Sequence, residues 1–163
     1  MTGLELREPA NLVCGRARWF WTIRALLCWL VVWALQVLVL IRSHGDHTPN
    51  YLVLAGTVLV GLLHVLVMPQ WRYRVHRWES TATAVYTRAG WFNQERRIAP
   101  LSRIQTVDTE RGPLEQLFRL SNGTITTASA AGPLKIHGLA PADADRLVAE
   151  LTAATAASTG DAT

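Results

Sequence analysis

The sequence predicts a membrane α-helical hairpin joined to a small α+β domain, an antiparallel half barrel of about seven strands with a C-terminal helix. Two long uncharged apolar runs, close together in the first half, predict the hairpin. Short β-branched and alternating runs bounded by glycine and proline predict the strands, and one amphipathic segment near the end predicts the helix.

The first run, "ALLCWLVVWALQVLVLI" at 25–41, carries no charge. As a helix it is roughly 26 Å long at about 1.5 Å per residue, close to a hydrocarbon core of about 30 Å. Flanking Trp19, Phe20 and Trp21 extend it through the interface. The second, "YLVLAGTVLVGLLHVLVM" at 51–68, closes at Pro69 and Trp71, and the turn-rich "RSHGDHTPN" joins the two. A long N-terminal flank, no small-x-small exit and a second run close behind predict that the first run is retained, not cleaved as a leader. Gln36 and His64 are polar intruders at different depths, expected as interfacial or helix-contact groups and not as one site. Ala55, Gly56 and Gly61 offer small surfaces for close helix approach.

The net charge of +4 is unevenly spread. Arg7, Arg16, Arg18 and Arg24 outnumber Glu5 and Glu8, and Arg72, Arg74 and Arg77 outnumber Glu79, while beyond residue 79 acids and bases balance. The excess therefore flanks the apolar region, which predicts anionic lipid and not nucleic acid as the counter-charge. Because Lys and Arg stay on the cytoplasmic side, both termini are expected in the cytoplasm of a multi-pass inner (plasma) membrane protein. The expected membrane-interface residues are Arg16, Arg18, Trp19, Arg24, Trp71, Arg72, Tyr73, Arg74 and Arg77. Cys14 and Cys28 read as free thiols, too few for a disulfide framework. The expected organisation is a basic cytoplasmic segment at 1–24, the hairpin at 25–68, the folded domain at 70–152 and a disordered tail at 153–163.

After Pro69 the alternation in "WRYRVHRW" predicts a strand leaving the membrane, with Trp71, Tyr73 and Val75 on one side. Two more strands are expected in "ATAVYTRAGWFNQERRIAPL", turning at Ala89–Gly90, and a fourth in "RIQTVDTER". One helical turn is expected near Pro113, then strands in "GTITTASA" and "PLKIHGL". In "APADADRLVAELTAAT", Pro141 suits the first helical position, Asp143 and Asp145 the first turns, and Leu147, Val148 and Leu151 share a face. A small sheet closed by one helix suits a pleckstrin-homology-like (PH-like) half barrel, with the helix plugging the open end. Ile98, Leu101, Ile104 and Val107 are then expected inside the barrel, with Leu114, Leu117 and Phe118 over its end.

The hairpin followed by "WRYRV", "VYTRAGWFNQERRIAPLSRIQTVDTERGPLEQLF", "TITTAS" and "LKIHGLAPADADRL" resembles the bacterial PH domain membrane proteins of the YdbS-like group, over about residues 10–151. The most specific element is "IAPLSRIQTV", a close variant of the family's I-P-L-x-R-I-Q-x-V, with the "GPLEQLF" turn after it. Where the family commonly has glycine after that phenylalanine, this chain has Arg119. The resemblance implies a PH-like fold and a place beside a larger membrane protein bearing several similar domains, in envelope stress or resistance to membrane-active peptides.

No GxSxG, HExxH, P-loop or paired CxxC pattern occurs, and no serine has an evident His/Asp partner, so no enzyme is expected. "HGDH" at 44–47 reads as a turn and not a metal site, since a short exposed loop gives ligands little support. No metal or cofactor is expected. His76 and His137 read as satisfied sheet residues. Arg96, Arg97 and Arg103 are the candidate ligand or partner surface, set against the plainer expectation of a solvated strand face with Glu95, Asp108 and Glu110 nearby. The loop "WESTAT" carries no base where phosphoinositide-binding PH domains have a basic loop, which disfavours that ligand. The expected function is a non-enzymatic membrane accessory protein presenting its PH-like domain for assembly with itself or a related PH-domain membrane protein. Lipid binding or lipid transport through the PH-like groove is the alternative.

Overall fold

The computed structural model describes residues 8–129 and 132–160. Helices α1 (Arg16–Arg42) and α2 (Thr48–Val75) pair as an antiparallel hairpin, and both are long and apolar enough to cross a membrane. The polar intruders pair across it at separate depths. Trp29 donates its indole N–H to His64 Nδ1 at 3.1 Å, and the Thr57 hydroxyl donates to Gln36 Oε1 at 2.8 Å. Of the small residues, Gly61 admits the close approach: a Cβ there would stand 2.5 Å from the Trp33 ring and 2.9 Å from that of Trp29.

The second helix does not stop at Pro69. Trp71, Tyr73 and Val75, expected on one side of a strand, continue α2, and the first strand after it begins at Arg77. An interior proline costs a helix about 3 kcal/mol, but Pro69 is fully buried and the turn after it is held by separate partners. Arg72 lies 4.6 Å over the Trp21 ring, Arg18 lies 4.9 Å over the Tyr73 ring, and the Trp71 indole N–H donates to the Trp91 carbonyl at 3.0 Å. The alternation of aromatic and basic residues thus reflects individual contacts and not two faces of a strand.

Strands β1 (Asn11–Leu12), β2 (Arg77–Ser80), β3 (Ala84–Gly90) and β4 (Gln94–Pro100) form one antiparallel sheet in that order. β5 (Ile104–Glu110), β6 (Ser121–Thr127) and β7 (Leu134–Leu139) form the second. The one-turn helix α3 (Pro113–Leu117) links β5 to β6, and α4 (Pro141–Gly160) follows β7. This is the expected PH-like half barrel, with β1 as a strand that the sequence does not announce.

The core holds Val85, Ala99, Leu101, Leu120, Ile125 and Leu139, and α4 closes it with Ala144, Leu147 and Leu151. Ile98 does not fill it as expected: the register sets Val85 opposite Ala99 inside and Tyr86 opposite Ile98 on the other face. Leu114 and Leu117 do not cap it either, being 39% and 74% exposed, whereas Phe118 packs on the core. Residues 153–160, expected within a disordered tail, are instead helical, because α4 runs to Gly160 through an alanine-rich stretch of high helix propensity. Residues 161–163 lie outside the described residues.

The expected boundary at residue 24 is absent. Val13, Ala17, Phe20 and Trp21 belong to the same core as the sheets. Asn11 pairs with Trp78, and Cys14 N–H donates to the Gly138 carbonyl at 2.8 Å. Gly138, at φ 78°, lies so near α1 that a Cβ would stand 2.8 Å from the Ala17 methyl. The first turns of α1 are therefore domain wall as well as helix.

Candidate functional site at the helix–domain junction

That insertion leaves a cavity of about 450 Å³ between the hairpin, α3 and the β6–β7 sheet. Arg24 comes from α1, His64 and Arg72 from α2, His137 from β7 and Glu115 from α3. Ala25, Cys28, Trp29 and Met68 line it from the hairpin, so it is basic at one end and apolar at the other. Among the described residues neither Arg24 nor Arg72 has an ion-pair partner. Burial holds the His137 imidazole below its ordinary pKa. The charges of Arg72, Lys135 and Arg24 push the same way, against Glu115. Positive charge therefore prevails in the cavity, an arrangement suited to holding an anion with an apolar tail.

The expected interface residues all fall in this junction, but not as one free collar. Trp19 and Trp71 are exposed, as are Arg16, Arg24 and Arg74. Arg18 and Arg72 are stacked on Tyr73 and Trp21, tying the two helices together. Arg77 lies on β2 beside β1, opposite Leu12. The sequence marked Arg24 and Arg72 as interface residues but not as neighbours in one cavity. His64, His137 and Glu115 were missed as its walls, because only the helix register and the α1 insertion bring them together.

The candidate arginines do not form one site. Arg97 donates to the carbonyls of Pro133 at 2.6 Å and Gly132 at 2.9 Å, bridging β4 to the β6–β7 connection, and pairs with Glu95 at 3.4 Å. Arg96 stands opposite Arg88 in the β3–β4 ladder, and Glu8 pairs with both, at 3.9 Å from Arg96. Arg103 lies beyond the end of β4, in the 3-10 turn Leu101–Arg103. In the 44–47 loop, Asp46 accepts the Thr48 N–H at 2.9 Å, its pKa is lowered by the Thr48 side chain first and then by this backbone bond, and His47 Nδ1 lies 3.0 Å from the Ser43 hydroxyl. No group of three or more metal-ligating side chains is assembled among the described residues.

A family model described as Bacterial PH domain matches residues 12–155, so its match takes in the hairpin as well as the sheets. This chain belongs to the bacterial PH domain family. It is similar to UPF0699 transmembrane protein YdbS of Bacillus subtilis (strain 168), 29% identical over 143 residues that cover 86% of this chain and 89% of the relative. It is a membrane protein. No solved structure matches it. In this bacterial PH domain Arg119, at the position where the sequence resemblance implies glycine, adopts φ 50°. The position after Phe118 ends α3, with Leu120 N–H donating to the Glu115 carbonyl at 2.7 Å, and it demands the left-handed backbone that glycine supplies most cheaply. Arg119 makes the turn without being glycine.

Proposed function

We propose that this chain is a non-enzymatic accessory protein of the inner (plasma) membrane, crossing it twice with both termini in the cytoplasm, whose PH-like domain binds an anionic lipid headgroup at the junction with its own hairpin. The observation that carries this reading is the convergence of Arg24 and Arg72, neither of them ion-paired among the described residues, on a cavity whose far wall is apolar hairpin surface. A phosphate-bearing headgroup fits the basic end, and an acyl chain fits along Ala25, Cys28, Trp29 and Met68. The basic residues flanking the apolar runs support the cytoplasmic orientation.

The test is mass spectrometry of lipids retained by the full-length protein in mild detergent, compared with the Arg24→Gln/Arg72→Gln double variant. Anionic phospholipid enriched over the source membrane, and lost from the variant, is expected. A lipid profile equal to the bulk membrane, or one that the variant leaves unchanged, sinks the proposal.

Assembly is a second reading, favoured by β5. It is a seven-residue edge strand that pairs with β6 alone, and its side chains are mostly exposed. A free edge of that length suits strand addition by a related PH-domain membrane protein or a second copy. A stoichiometric membrane protein in the same purification supports it, and an isolated protein counts against it.

A further inference from the structure

We propose that the β3–β4 turn, Trp91 and Phe92, is a wedge inserted into the bilayer leaflet alongside α2. Phe92 is 88% exposed and Trp91 42% exposed, two adjacent aromatics turned out of a folded domain whose next residues on β4 are polar and charged. The turn is not loose. Trp91 is held to α2 at two levels, its carbonyl accepting from the Trp71 indole at 3.0 Å and its ring 5.7 Å from that of His64. Gly90, at φ 115°, fixes the tip geometry, since a Cβ would fall 1.8 Å from the Asn93 carbonyl oxygen.

The depth follows from helix geometry. His64 precedes Arg72 by eight residues, about 12 Å along the axis at about 1.5 Å per residue, on the side away from the domain. The Trp91 ring, against His64, therefore reaches from the level of Arg72 toward the apolar part of the hairpin. There it continues a row of rings from α1: Trp29 lies 6.3 Å from His64, His64 5.7 Å from Trp91, and Trp91 6.3 Å from Phe92. The exposed aliphatic surface of α2 at Leu63 and Val67 flanks the row. The occupant is lipid because this patch is continuous with helix surface that faces the membrane interior, and tryptophan at such a boundary is the residue that interfaces favour. The polar and charged run from Gln94 to Arg97 then marks the point where the hairpin returns to water.

The test is a nitroxide at Phe92→Cys in a Cys14→Ser/Cys28→Ser background, in nanodiscs containing phosphatidylglycerol, with Thr109→Cys on β5 as the reference. Collision with oxygen well above collision with a water-soluble nickel complex, by several-fold relative to position 109, is the expected result. Nickel accessibility equal to that at 109 overturns the wedge. Broadening from a second label overturns it in favour of contact between copies. Neither outcome depends on lipid in the Arg24/Arg72 cavity.

Discussion

Ala17 on α1 and Gly138 on β7 touch so closely that the glycine has no room for a side chain, a Cβ falling 2.8 Å from the Ala17 methyl. Replacing Gly138 with valine adds this clash to left-handed strain at φ 78°. The variant is expected to lose about 2–4 kcal/mol, read as a lower midpoint of thermal unfolding in mild detergent.

Arg119 is the converse case, a side chain where the backbone favours none. At φ 50° its conformation costs an L-residue roughly 1–2 kcal/mol. Arg119→Gly is expected to stabilise the protein by about 1 kcal/mol, and Arg119→Ala, which removes the charge but not the strain, is expected to give no such gain.

The hairpin rests on Gly61, where the rings of Trp33 and Trp29 lie against the helix. Gly61→Leu is expected to force α1 and α2 apart and break the Trp29–His64 hydrogen bond. The hairpin variant should then be cut by protease within the 43–50 loop more rapidly than the wild type.

His76 follows α2 and is almost wholly buried, with Nδ1 2.9 Å from the Arg72 carbonyl. Burial first, then the Arg72 charge, lowers its pKa from 6.5 to about 4. A lowered value in the folded state means that the unfolded chain binds the proton more readily between those limits. Above pH 6.5 both states are neutral, so stability is expected to be flat there, to fall as the pH drops toward 4, and to level off below. His76→Asn should flatten part of that slope in a pH series of unfolding midpoints, the remainder belonging to His137, whose pKa is also lowered.

The apolar runs, the strand segments after Ser80 and the C-terminal helix were legible because each is written in local periodicity. The end of the second helix was not, since Trp71, Tyr73 and Val75 alternate with basic residues as a strand would, and their helical state depends on Trp21, Arg18 and Trp91, distant in sequence. Ile98 misled for a related reason: one step of register exchanges inside and outside, and Ala99 took the inner face. The arginine surface at 96, 97 and 103 looked clustered because it is close in sequence, but Arg96 pairs with Glu8, Arg97 holds the β6–β7 connection, and Arg103 lies in the turn beyond β4. Arg24 and Arg72 are distant in sequence and are brought to one cavity by the antiparallel pairing of α1 with α2, its opposite wall coming from α3 and β7.

The most direct test of that joint is hydrogen exchange with mass spectrometry on the full-length protein in nanodiscs, comparing wild type with Gly138→Val. Residues 13–22 and β7 are expected to be protected together in the wild type and to lose protection together in the variant. Loosening of β7 while residues 13–22 keep their exchange rate would contradict the account, leaving α1 a separate anchor and the cavity without a fixed wall.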